Sequence, residues 1–207
     1  VEQIVAALEG DTSDWAKAQL ATLRTKSPQT LKVTFRQLRE GGFEYVDKTQ
    51  FLCDVIDRNN IAVILLPRPR RFGKTINLTM LRWFFEKRDE NLWPLFEGLH
   101  VARAGDKYRA HFQQYPVIFV SFKGTKADTL EGCQREIRKV IRQMYELHRD
   151  VLGDEKTPLE PWERAECNAI LQGADDWGLY NGALYSLTKW LHRAYGKRPI
   201  VLIDEYD

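Results

Sequence analysis

Ile61-Ala-Val-Ile-Leu-Leu66 runs directly into Pro67-Arg-Pro-Arg-Arg-Phe-Gly-Lys-Thr75, and how this join is read decides the fold. A short apolar run with the turn formers Asn59-Asn60 before it and prolines after it predicts a buried strand. The loop that follows ends in Gly73-Lys74-Thr75, at the head of a helical pattern over about 74–88. Ile76, Met80, Leu81, Phe84 and Phe85 share one face of that helix. A strand that hands a loop to a helix N-terminus is a layout that cradles phosphate, because backbone N–H groups and the positive end of the helix face the anion. In such a cradle Lys74 reaches the outer phosphates of a nucleotide and the Thr75 hydroxyl binds Mg²⁺. The general pattern G-x-x-x-x-G-K-[S/T] puts its first glycine at position 68, where this chain has Arg68.

A second motif lies near the other end, in Ile200-Val-Leu-Ile-Asp-Glu205. Four apolar strand formers finish in two acids, and Gly196 and Pro199 ahead of them stop a helix and start a strand. In parallel sheets ligands sit beyond the carboxyl ends of the strands. An acid there can hold a metal over phosphates, so Asp204 is the expected Mg²⁺ carboxylate. Glu205 is expected to orient or deprotonate an attacking water.

The 207 residues suit one α/β domain with room for an appendage. A hydrophobic fraction of 43% and a charged fraction of 29% are ordinary for a soluble globular chain. The net charge of +2 makes no general case for nucleic acid or an anionic membrane. Cys53, Cys133 and Cys167 form no C-x-x-C pair and no His/Cys metal spacing, which favours reduced thiols in a cytoplasmic protein. No apolar run approaches the ~20 residues of a membrane span, and Val1-Glu-Gln-Ile4 opens an amphipathic helix rather than a signal peptide. His100, His111, His148 and His192 are scattered singly and read as packing or surface residues.

Residues 1–40 read as three short helices, the third capped by Ser27, started by Pro28 and ended by Gly41-Gly42. A helix over about 50–58 turns Phe51, Leu52, Val55 and Ile56 inward. Trp93, Leu95 and Phe96 form a packed turn around Pro94, and Val117-Ile-Phe-Val120 is a second buried strand. A helix over about 128–149 carries Leu130, Cys133, Ile137, Val140, Ile141 and Met144 on one side. Its other side carries Arg135, Arg138, Lys139 and Arg142, read as a solvated face. Residues 150–178 are polar, with a helix flanked by loops, and a helix over about 179–195 buries Tyr180, Leu184, Leu187 and Leu191. Alternating strands and helices imply a mainly parallel sheet.

Three motifs carry a resemblance: YVDKT at Tyr45–Thr49, RPRRFGKT at Arg68–Thr75 and LIDEYD at Leu202–Asp207. From about Phe35 onward the chain resembles the predicted AAA-ATPase-like family, whose version of the loop includes the arginine at position 68. The resemblance implies a P-loop NTPase fold: a three-layer α/β/α domain over residues 41–207 with a mainly parallel sheet. Its nucleotide loop would comprise Arg68, Pro69, Arg70, Arg71, Phe72, Gly73, Lys74 and Thr75. Thr75 and Asp204 would hold Mg²⁺, and Lys74 and Glu205 would act in catalysis. In that class a further strand sits between the acidic strand and the cradle strand. A chain ending at Asp207 is therefore expected to be incomplete at its C-terminus, with a gap at the centre of its sheet. Many relatives carry a following nuclease-like domain.

Residues 1–40 are instead similar to the C-terminal helical region of 3-hydroxyisobutyryl-CoA hydrolases of the crotonase superfamily, through TLRTKSP and LKVTFRQL. This suggests a fused chain. The thioester-binding core of those hydrolases lies upstream of the segment, so their activity is not expected here.

The expected function is ATP binding, with Mg²⁺-dependent hydrolysis if the missing strands are supplied. The alternatives are a nucleotide-gated switch without turnover and an inactive fragment. Asp47-Lys48 reads as a surface turn. Tyr45 and Phe43 read as core packing rather than base contacts.

Overall fold

A computed structural model describes residues 34–58, 60–66, 73–155 and 157–205. Expectations for residues 1–33, and for the loop from Arg68 to Phe72, lie outside the described residues. Helix α1 (Phe35–Glu40) begins with Thr34 in extended backbone, forming a capping box with Gln37. A single helix from Pro28 through Glu40 is thereby corrected, because the Thr34 cap restarts the chain. Gly41 ends the helix as expected. Helix α2 (Gln50–Asp57) buries Leu52 and Cys53, and helix α3 (Lys74–Phe85) buries seven residues from Asn77 to Phe85.

Helix α3 stops three residues earlier than its pattern suggested. Glu86 turns extended and bridges Tyr115, so the backbone leaves the helix to meet the sheet side. A 3₁₀ turn at Trp93–Leu95 and short helices α4 (His100–Arg103) and α5 (Asp106–Arg109) follow. Phe35, Phe84, Phe96 and Phe112 pack against one another at ring separations of 5.0–5.8 Å. Such contacts add about 0.5–1.5 kcal/mol each beyond area burial. The α1 entry is fixed to α3 by the Phe35 N–H, which donates to Thr79 Oγ1 at 3.1 Å.

Strand β1 (Val117–Ser121) pairs in parallel with β2 (Ile200–Asp204), with Val117 opposite Ile200 and Ser121 opposite Asp204. Between them run α6 (Leu130–Glu146), α7 (Arg149–Gly153), α8 (Pro161–Gln172), α9 (Gly178–Asn181) and α10 (Ala183–Tyr195). The chain is thus α/β, with a small parallel sheet among many helices. Each face of the sheet meets a helical core. Val117 and Leu202 join α1–α3 on one side, and Ile118 and Val120 join α6–α10 on the other. Leu130 was expected to be inward but is exposed, because the first turn of α6 projects beyond that second core. The helix expected over 179–195 is two helices broken at Gly182, and Tyr180, Leu187 and Leu191 are buried as read. Gly196 closes α10 in the left-handed region (φ 66°), which lets the chain turn towards Pro199 and β2.

Ile61–Leu66 is not a strand. Val63 and Leu65 are 80% and 63% exposed, and no described residue pairs with the segment in a ladder. An extended run is assigned as a strand only when a neighbour takes its N–H and C=O groups. Here the facing edge of β2 stands across a groove of about 580 Å³, with Leu78 and Leu81 of α3 also lining it.

Candidate nucleotide-binding site

Gly73 adopts φ 74° and caps α3, a backbone state that L side chains rarely take. That turn starts the helix at Lys74, and Asn77 N–H donates back to the Gly73 carbonyl at 3.0 Å. Thr75 therefore sits in the first helical turn. Its hydroxyl donates to Asp204 Oδ2 at 3.0 Å across 129 residues of sequence. Asp204 is 1% exposed and ends β2, where its carbonyl accepts a hydrogen bond from Phe122 N–H at 3.1 Å. The head of α3 and the carboxyl end of β2 are one place.

Glu205 follows in the left-handed region at φ 56°, uncommon for a residue other than glycine. It marks a sharp exit from the strand beside Asp204. Lys74 lines the groove between Ile61–Leu66 and β2. Gly73, Lys74, Thr75, Asp204 and Glu205 are thus gathered at one end of the sheet, whereas Arg68, Pro69, Arg70, Arg71 and Phe72 lie outside the described residues.

Two hard oxygen donors within 3.0 Å of each other, one a hydroxyl and one a carboxylate, suit Mg²⁺ with water and phosphate completing its shell. Among the described residues no cluster of three or more His, Cys, Asp or Glu forms a metal cage.

The YVDKT segment does more than make a surface turn. Asp47 accepts from the Thr49 N–H (2.9 Å) and hydroxyl (2.7 Å) with one oxygen, and from His100 N–H at 2.6 Å with the other. Burial pushes the Asp47 carboxyl up, but these donors outweigh it and hold it below the ordinary range. The fully buried Thr49 accepts from Val101 N–H at 3.1 Å. The segment therefore seats the start of α4. Lys48 between them points its ammonium at Gly73, 3.8 Å from where a Cβ would stand. Sequence reasoning missed this; the signal was the Asp-x-Thr spacing, which fixes backbone around an intervening side chain. Tyr45 packs edge-on to Phe35 at 5.3 Å, as a core residue, while Phe43 is 59% exposed and is not the core residue it was read as.

The basic face of α6 is largely matched within the molecule. Arg138 pairs with Asp175, Lys139 with Glu136 and Arg142 with Glu146. This agrees with a solvated face.

Residues 32–207 match a family described as "Predicted AAA-ATPase". The chain belongs to the AAA-ATPase-like family. Membership supports a nucleotide-binding function. Residues 1–51 match an enoyl-CoA hydratase/isomerase family. An uncharacterised protein from the vnfD 5′ region of Azotobacter chroococcum mcd 1 is 33% identical over 178 residues, covering 84% of this chain and 28% of that protein. The chain therefore spans under a third of this curated relative. The mitochondrial 3-hydroxyisobutyryl-CoA hydrolases of Xenopus laevis and Xenopus tropicalis are each 56% identical over 41 residues, 20% of this chain and 11% of each hydrolase. No solved structure matches. No helix among the described residues is long and apolar enough to cross a membrane.

Proposed function

We propose that this AAA-ATPase-like chain binds Mg-ATP in a P-loop NTPase site at the junction of α3 and β2. The observation that carries the reading is the Thr75–Asp204 hydrogen bond, which joins the Gly-Lys-Thr helix start to the acidic strand end. In this reading Lys74 and the amides of the loop from Arg68 to Gly73 neutralise the phosphate chain, and Arg70 and Arg71 add charge. Thr75 and Asp204 would hold Mg²⁺, which when bound withdraws charge from the bridging phosphate oxygens. Glu205 orients a water for attack on the terminal phosphorus and takes its proton, while the bond to the β-phosphate oxygen breaks and ADP departs. ATP is preferred to GTP by family likeness.

A second reading, binding without turnover, is favoured by the open edge of β2. The groove runs along the strand from which Glu205 leaves the sheet, and turnover needs that carboxylate held in near-attack geometry. Calorimetry with Mg-ATP and a phosphate-release assay on wild type, Lys74→Ala and Glu205→Gln separate the two. Binding weakened at least tenfold by Lys74→Ala, with Glu205→Gln binding normally but releasing no phosphate, is expected of the hydrolase. Binding without release in every variant supports the switch. Equal affinity in wild type and Lys74→Ala overturns both.

A further inference from the structure

We draw no further inference here: the strongest candidate, the apolar groove between Ile61–Leu66 and β2 with Leu78 and Leu81 of α3 in its wall, carries nothing because nothing in the structure shows what covers it.

Discussion

His148 is a buried imidazole with no part in the proposed chemistry, and its titration reports on packing alone. Burial pushes it down to about 4, with Arg82 and Arg88 adding to the depression. Glu86 and a hydrogen bond with the Val117 backbone oppose them without prevailing. The folded protein thus prefers the neutral ring, and the unfolded chain takes up the proton first as pH falls. The stability this group contributes is complete above about 6.5 and is lost between about 6.5 and about 4. Urea unfolding of wild type should lose on the order of 1–3 kcal/mol more than His148→Gln between pH 7 and pH 4.5. Parallel curves for the two proteins would show that the ring is not desolvated. At the same scale, Gly73, Lys74, Thr75, Asp204 and Glu205 could be picked from sequence because phosphate and Mg²⁺ chemistry constrains residue type at fixed spacing. The Asp47-x-Thr49 spacing signals that the backbone around Lys48 is fixed, but that Lys48 stands beside Gly73 depends on where the chain folds back.

Among the elements, β1, β2 and α2 lie where their patterns put them, the strands as continuous apolar runs entered through Pro116 and Pro199, while α3 begins as read but stops three residues early. Ile61–Leu66 forms no strand, although it is the most apolar run in the chain. Composition measures the tendency of a segment to extend, whereas a ladder needs a partner edge, and the edge of β2 stands a groove away. Exposure along β2 makes this testable. Leu202 is 6% exposed on the α3 side, while Val201 and Ile203 are 36% and 37% exposed, because the second helical core covers β1 but not β2. Leu202→Ala is expected to cost about 2–5 kcal/mol in chemical denaturation. Ile203→Thr should cost below about 1 kcal/mol. Similar losses at both positions would mean that β2 is covered on both faces.

For the whole molecule, the sheet sits between two helical cores and offers its carboxyl end as the place where distant segments meet. The α1 segment, which lies within both family matches, is bound into that arrangement by Phe35, which is fully buried against Phe96 and Tyr45. Sequence periodicity could assign faces to elements but could not bring Thr75 to Asp204; only the parallel pairing of β1 with β2 and the docking of α3 do so. Whether that meeting point grips one metal–nucleotide complex is tested most directly by titrating ATP affinity against Mg²⁺ in wild type and in Asp204→Asn, which keeps the shape of the buried side chain. A shared site predicts that saturating Mg²⁺ tightens ATP binding at least tenfold over EDTA in wild type, and that Asp204→Asn loses this gain while keeping the metal-free affinity. An undiminished response to Mg²⁺ in Asp204→Asn would contradict it.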